Sequence, residues 1–161
     1  AASIVNSSRN AVRETDFTVI LSRSMLEERF EETLEMLSWI ADDEDLDELA
    51  AAGPESREEE WREFWEEFEP EPSTRLDEGQ SEFLRRLEFA INNLGGSVEG
   101  WRTDMGRIYI TYGAPDLDEE HDGRVLGSTY RLWYYYSLGV VFIFEDPSGS
   151  GRYRLMETRS I

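Results

Sequence analysis

The sequence predicts an α+β fold, in which N-terminal helices pack on a C-terminal antiparallel sheet of about four strands. Apolar residues recur at helical spacing through residues 25–96, with acidic residues between them. After residue 97 the pattern changes to alternation of period two, which is typical of strands. Short glycine-containing segments separate the alternating runs, so consecutive strands are expected to pair as hairpins.

The chain begins with a polar arm and a first helix. Residues 1–24 form the arm, within which residues 17–21 have the β-branched content of a short extended segment. A capping-box pattern at Ser24 and Glu27 predicts the start of a helix that continues to about Ile40.

Three more helices are predicted in the helical region. Acidic residues 42–45 favour the start of a short second helix, which ends before residues 53–54. A third helix follows a second capping-box pattern at Ser56 and Glu59, and a fourth covers residues 78–94. The third helix carries an aromatic stripe of Trp61, Phe64, Trp65 and Phe68.

Residues 97–161 form the predicted β-meander, and residues 25–161 are expected to make one globular unit. A turn at residues 105–106 is expected to precede the first strand, in which Ile108 and Ile110 lie on one face. The four predicted strands cover residues 107–112, 130–136, 140–144 and 152–157.

Several predicted strands are apolar on both faces, which an antiparallel sheet with one solvated face would not show. Either the helices and the N-terminal arm cover one side while the sheet curls on itself, or one face binds a partner. The second interpretation gives a candidate interaction surface at Trp133, Tyr134, Tyr135 and Tyr136.

The net charge of −20 is concentrated in the helices. Residues 27–71 contain 20 acidic residues and three arginines, a net charge of −17. Such a chain would repel phosphates, so nucleic-acid binding is excluded. The acidic residues form either a solvated face or a docking surface for a basic partner.

The residues needed for common catalytic mechanisms are scarce. The chain has no Cys, all sixteen basic residues are Arg, and His121 is the single histidine. Thiolate, lysine-based and serine–histidine mechanisms therefore lack their components. We expect His121 to be exposed, and we predict no catalytic residue, no cofactor and no metal.

The acidic segment from Asp118 to Thr129 is a partial match to a calcium-binding loop. Carboxylates stand at alternate positions and Gly123 stands at the sixth, as in an EF-hand. The twelfth position, however, is Thr129, which cannot supply the bidentate carboxylate. The sequence therefore predicts an exposed loop with weak affinity for calcium.

The stretch GWRTDMGRIYITYGAPD, followed by YRLWYYY and VVFIFEDPSGSG, resembles the GWxTD domain, a bacterial family named for its pentapeptide. The resemblance is dense over residues 99–155 and looser before them, where Phe64–Trp65 matches a family pair but the Arg-Asp-Pro that follows it in relatives does not recur. It carries over no reaction. Because members are commonly exported, the resemblance implies an extracytoplasmic location such as the periplasm.

The motif residues suit a structural role. Gly100 allows the chain to bend, Trp101 offers a large apolar surface, and Asp104 is expected to accept a local backbone N–H at the turn before the first strand. The full set of structural motif residues is Gly100, Trp101, Thr103, Asp104, Gly113, Pro115 and Asp116. The alternative is that Asp104 and Asp116 are paired site carboxylates, with Arg107 beside them.

Together these observations predict a non-enzymatic module, either a protein–protein interaction domain or a structural subunit of a larger extracytoplasmic, membrane-attached bacterial assembly. The visible sequence has no apolar run of the ~18 residues needed to cross a bilayer, so it is not expected to span the membrane itself. The alternative is a hydrolase or carbohydrate-binding domain that uses the aromatic sheet and nearby carboxylates.

Overall fold

The computed structural model describes residues 23, 25–68, 78–95, 98–121 and 128–161, with the backbone alone at residue 78. The predicted extended segment at residues 17–21 and the cap at Ser24 lie outside the described residues. The chain divides into two compact units, residues 1–85 and 86–161.

The helices of the first unit follow the predicted order. They are α1 (Phe30–Leu37), α2 (Asp43–Ala51), α3 (Arg57–Phe68) and the first half of α4 (Glu78–Asn93), within which the division between the units falls.

The prediction of one continuous helix to Ile40 was wrong, because a helical turn at residues 25–27 is separated from α1 by residues 28–29. The Thr33 hydroxyl donates to the carbonyl of Met25 at 3.1 Å, and the Arg57 guanidinium donates to that of Leu26 at 3.1 Å. These side chains bond carbonyls that backbone N–H groups would reach in an uninterrupted helix.

The acidic start of α2 is confirmed. The Asp42 carboxylate accepts the N–H groups of Glu44 at 3.0 Å and Asp45 at 3.2 Å, while the Asp45 carboxylate accepts the Asp42 N–H at 3.3 Å. This reciprocal capping satisfies N–H groups that have no partner within the helix.

The α+β class and the four-stranded antiparallel sheet are confirmed. The strands are β1 (Leu117–His121), β2 (Thr129–Tyr135), β3 (Val140–Asp146) and β4 (Arg154–Ser160), paired in that order with every neighbour antiparallel. A bulge interrupts the β3–β4 pairing between Ile143 and Phe144.

The first strand is not where the alternation placed it. The segment predicted as strand 107–112 belongs to helix α5 (Asp104–Tyr112), and β1 comes from the acidic segment predicted as a loop. Met105, Ile108 and Tyr109 are buried at helical spacing, and they join the core cluster on one face of the sheet. Because apolar residues are consecutive at 108–110, the segment satisfied both periods, and the helix cap at Thr103 decides in favour of the helix.

The core of the second unit lies between α5 and one face of the sheet. From the sheet it includes Trp133, Tyr135, Phe142 and Phe144, which alternation places on a single face, called here the inner face. The Phe89 ring from the second half of α4 stacks on Tyr109 with centroids 4.2 Å apart.

Candidate functional site

The pentapeptide Gly100–Asp104 and the two residues after it form a close junction between helices, which we call the GWRTD joint (residues 100–106). A 3₁₀ turn (Gly100–Arg102) leads directly into α5. A Cβ on Gly100 would lie 2.7 Å from the carbonyl carbon of Ala90 in α4, and nearer still to its oxygen. A Cβ on Gly106 would meet the Gly100 carbonyl in the same way, at 2.8 Å from its carbon. Glycine is required at both positions because backbone lies against backbone.

Thr103 is the N-cap of α5. Its hydroxyl oxygen accepts the Gly106 N–H at 2.9 Å and lies 2.7 Å from the Gly100 carbonyl oxygen, to which it donates. One side chain thus closes the 3₁₀ turn and starts the next helix.

Asp104 binds a backbone N–H, as predicted, but the donor is not local. It is the first residue of α5, and there is no turn at residues 105–106 before a strand. One carboxylate oxygen accepts the N–H of Leu155 in β4 at 2.8 Å, and the other lies 3.1 Å from the Arg107 guanidinium. Asp104 therefore fastens the start of the helix to the last strand.

Trp101 fills the interior of the joint. Its side chain is 1% exposed, and the Arg102 guanidinium lies over its ring at 4.0 Å from the centroid. The predicted role as a large buried apolar group agrees with this position.

Gly113, Pro115 and Asp116 follow the end of a helix, not the strand end assumed from the sequence. Gly113 is the C-cap of α5 with φ of 80°. The Tyr135 hydroxyl donates to its carbonyl at 2.8 Å, and burial, with Tyr109 nearby, raises the pKa of Tyr135 well above its ordinary value. The Asp116 carboxylate accepts the N–H of Tyr136 at 2.7 Å.

Arg86 also closes the end of α5, and the sequence interpretation missed it. Its guanidinium donates to the carbonyls of Ile110 at 3.2 Å and Thr111 at 3.0 Å. A cation at a helix C-terminus also interacts favourably with the helix dipole. An arginine within the apolar pattern of the fourth helix was the available signal.

The structure does not bring Asp104 and Asp116 together as a catalytic pair. Asp104 begins α5, which has nine residues, and Asp116 lies beyond its other end. A helix of that length spans about 13 Å, beyond the roughly 10 Å limit for cooperating carboxylates. Each carboxylate instead binds a backbone N–H, which supports the structural interpretation.

The four aromatic residues of the candidate interaction surface divide between the two faces of the sheet. Trp133 and Tyr135 are 2% and 3% exposed in the core, whereas Tyr136 is 58% exposed and Tyr134 is half-buried. Tyr134 and Tyr136 are tilted rings with centroids 6.1 Å apart. Burial, followed by a hydrogen bond with Glu119, raises the pKa of Tyr134.

We call the face that carries Tyr134 and Tyr136 the outer face. Its half-buried positions on β2 and β3 include aromatic and aliphatic side chains, and its edges carry charged ones. Cross-strand pairing assigns to it Leu117, Glu119, His121, Tyr130, Leu132, Tyr134, Val141, Ile143, Glu145, Arg154, Glu157 and Arg159.

The helices of the first unit present the acidic residues to solvent. On α3, Glu58, Glu59 and Glu63 are exposed, as are Glu66 and Glu67, opposite the buried side chains of the aromatic stripe. The ion pairs on this surface are long, with Arg62 3.7 Å from both Glu59 and Glu66. Exposed pairs of this kind contribute little to stability, so these ion pairs do not account for the concentration of acidic residues on the helix.

The segment resembling a calcium loop starts as a strand. Asp118 lies in β1, where its two carboxylate oxygens accept from the Arg131 guanidinium at 2.8 and 2.6 Å. His121 ends the same strand, is exposed, and lies 3.7 Å from Glu119. Among the described residues no group of three or more His, Asp and Glu side chains is placed to hold a metal.

We predict that calcium binds at residues 118–129 no tighter than about millimolar, because Thr129 supplies no carboxylate and Asp118 is engaged by Arg131. Isothermal titration calorimetry checks this prediction. Micromolar affinity that Asp122→Ala abolishes would contradict it.

Asp146 is a buried carboxylate that the sequence analysis did not single out. It is 1% exposed and accepts the N–H groups of Ser148 at 3.1 Å and Gly151 at 2.6 Å. Burial raises its pKa, but the backbone N–H groups of Gly151, Ser148 and Ser150 outweigh that effect, so the pKa lies below its ordinary value. An aspartate before Pro-Ser-Gly is the sequence signal for such a turn.

Because the folded pKa of Asp146 is lowered, its contribution to stability is present above the unfolded pKa of about 3.9 and is lost as pH falls through the folded value. We expect Asp146→Asn to reduce the free energy of unfolding at pH 7 by about 1–3 kcal/mol. Urea unfolding from pH 7 to pH 2.5 should show the difference from wild type shrinking below pH 4. A difference that grows with acidity would contradict the assignment, and the exposed Glu63→Gln serves as the control.

The fold defines a class: an α+β domain in which a short capped helix covers one face of a four-stranded meander. The GWxTD domain model matches residues 4–156, nearly the whole chain. The chain belongs to the GWxTD domain family. Comparisons with curated proteins and with solved structures gave no match. None of the helices in the described ranges combines the length and hydrophobicity that a membrane span requires.

Proposed function

We propose that the chain is a non-enzymatic interaction module, a structural subunit of a larger extracytoplasmic, membrane-attached bacterial assembly. The outer face of the sheet binds the partner, and the acidic helices of the first unit attract it. The membrane setting and the extracytoplasmic location are inferred from the family, whose members are commonly exported.

The observation that carries the proposal is the outer face. Tyr136 is 58% exposed and Leu117 is 39% exposed. Both lie next to the half-buried Tyr134, Leu117 opposite it on β1 and Tyr136 two residues further along the chain. Tyrosine is favoured in interfaces because its rigid ring buries apolar area while its hydroxyl bonds to polar groups. The motif residues do not compete for this role, because they are used in the GWRTD joint and at the end of α5.

Charge is arranged to speed encounter. Residues 100–161 carry nine acidic residues and seven arginines, a net charge of −2, against −17 for residues 27–71. A partner with a basic surface would be drawn by long-range attraction to the helices, whereas the nearly neutral sheet would determine how long it stays bound.

The test is co-purification of the tagged full chain from native membranes, followed by binding kinetics with the partner recovered. We expect the double variant Tyr134→Ser and Tyr136→Ser to lose the partner through faster dissociation. The matched control is Met156→Ser in β4, an apolar side chain equally exposed at 58%. Retention of the partner by the tyrosine variant would remove the outer face from the proposal.

Charge reversal tests the acidic helices separately. Changing Glu58, Glu59, Glu63 and Glu66 to Arg should slow association by about tenfold or more at low salt, with a smaller effect on dissociation. The difference should shrink near physiological salt, where screening acts over about 8 Å. If association at low salt is unchanged, the acidic residues are a solvated face.

A carbohydrate-binding or hydrolytic role is the second candidate, favoured by one observation. The rings of Tyr134 and Tyr136 are neighbours, and Tyr134 is hydrogen-bonded to Glu119. Aromatic rings with a nearby carboxylate suit a sugar. A soluble oligosaccharide that protects both tyrosines from chemical modification, with no protein partner recovered, would favour this candidate.

A further inference from the structure

We propose that the sheet continues from one copy of the chain into the next, with β1 of one copy pairing antiparallel with β4 of its neighbour. In the part of the chain that the structure describes, β1 and β4 are the two edges of the sheet. The occupant is a second copy of this chain, so the inference goes beyond the partner proposed above. It can be wrong while the proposed function remains correct.

The open part of the β4 edge lies at residues 157–161. The Ile161 N–H donates to the Gly139 carbonyl at 3.0 Å, so Ile161 directs its backbone groups toward β3. Alternation then turns the backbone groups of Ser160 and Thr158 away from β3. At the other end of the strand, the Leu155 N–H is already bound by the Asp104 carboxylate.

The matching edge of β1 can be derived in the same way. The Tyr134 carbonyl accepts the Asp116 N–H at 2.8 Å, so Tyr134 directs its backbone groups toward β1. Leu117 lies opposite Tyr134 and faces it. Asp118 and Glu120 therefore face outward, and β1 offers an edge of five residues, the same length as the open part of β4.

One register matches both the backbone and the side chains. It opposes the outward-facing residues, Asp118 with Ser160 and Glu120 with Thr158, so their backbone groups can exchange hydrogen bonds. On the outer face it makes every cross-strand pair complementary. From β1 to the neighbouring β4, these pairs are Leu117 with Ile161, Glu119 with Arg159, and His121 with Glu157.

The neighbouring registers are unfavourable. A shift of two residues keeps the outward backbone groups opposed, but in one direction it places Glu119 opposite Glu157, and like charges directly opposite each other destabilise a strand pair. In the other direction it places Glu119 opposite Ile161, so Glu119 loses its arginine partner. A shift of one residue would also place outer-face residues opposite inner-face residues.

The charges on both edges are available for such pairing. Within one copy Arg159 lies 2.6 Å from Glu157, and His121 lies 3.7 Å from Glu119, with all four side chains more than 40% exposed. Strand pairing would join these two weak pairs into one four-residue network. Charged edges commonly prevent association between strands, and here two acidic β1 edges would repel each other while β1 and β4 attract.

The interface is head-to-tail, so association should depend on concentration and extend beyond dimers. We would measure it with the full chain by sedimentation equilibrium at low salt. Glu119→Arg and Arg159→Glu should each weaken association at least about fivefold. Both changes in one chain should restore it, because the exchanged charges would again be opposite in sign where one copy meets the next. Arg154→Glu, on the same strand but outside the register, is the matched control.

Disulfide trapping reads the register directly, since the native chain has no Cys. A mixture of Leu117→Cys and Ile161→Cys chains should form a crosslinked heterodimer under mild oxidation. The offset mixture of Glu119→Cys and Ile161→Cys should not.

Three outcomes would overturn the proposal. If the wild-type chain stays monomeric at its highest soluble concentration, the proposed strand pairing is wrong. Association that is lost with Arg159→Glu but unaffected by Glu119→Arg would show that two β4 edges pair instead. Efficient crosslinking of the offset mixture would show another register or a different contact.

Discussion

Replacing Gly100 with Ala should destabilise the second unit by at least about 3 kcal/mol, the upper end of the range for overpacked cores. The added methyl group would overlap the backbone carbonyl of Ala90. Backbone atoms, unlike the end of a flexible side chain, cannot easily move aside. Gly106→Ala should have a similar effect, because its methyl group would overlap the Gly100 carbonyl. Denaturant unfolding monitored by circular dichroism measures both changes.

Gly53→Ala is the matched control for these substitutions. A Cβ at Gly53 would meet no atom within 4 Å. The change should therefore be neutral or slightly stabilising, since alanine reduces the freedom of the unfolded chain. A small loss of stability for Gly100→Ala, comparable to that of the control, would mean that the GWRTD joint is not as close as described.

Replacing Trp101 with Ala should reduce the free energy of unfolding by about 3–5 kcal/mol, as for other buried aromatic side chains. The side chain is 1% exposed, and its removal would leave a cavity beneath Arg102 and beside the start of α5. Urea unfolding of the variant measures the loss. Tyr136→Ala, which removes an exposed aromatic residue from the outer face, should change the unfolding midpoint little.

An unchanged midpoint for Trp101→Ala would contradict the structural role of the pentapeptide. A protein that unfolds normally but loses its partner would instead place the tryptophan at a binding surface. The two results are separable, because unfolding and partner recovery are measured independently.

Much of the fold was predictable because its signals are local. The aromatic stripe of α3, the acidic start of α2 and the glycine-bounded β2–β3 hairpin depend on spacing and caps within a few residues. The helix α5 was not predictable from periodicity, because residues 108–110 are three consecutive apolar residues that fit both the helical and the strand period. Its cap at Thr103 was visible in the sequence, and greater weight on that residue would have corrected the error.

The candidate site was predictable only in part, because it depends on contacts distant in sequence. Asp104 was correctly expected to bind a backbone N–H, but Leu155 as donor lies 51 residues away. The exposed members of the aromatic strand could not be chosen, since a period of two does not say which face is covered. The structure makes that choice by placing α5 against Trp133 and Tyr135.

The pairing order of the sheet also bears on how the second unit folds. Each strand pairs with its neighbour in sequence, so hairpins can form one after another with little loss of chain entropy. The bond from Asp104 to Leu155 is different, because it closes a loop that contains most of the sheet. We expect such a contact to form late in folding, when the strands are already in register, and to act mainly on the rate of unfolding. The aspartate of the pentapeptide would then slow the opening of a sheet that can assemble without it.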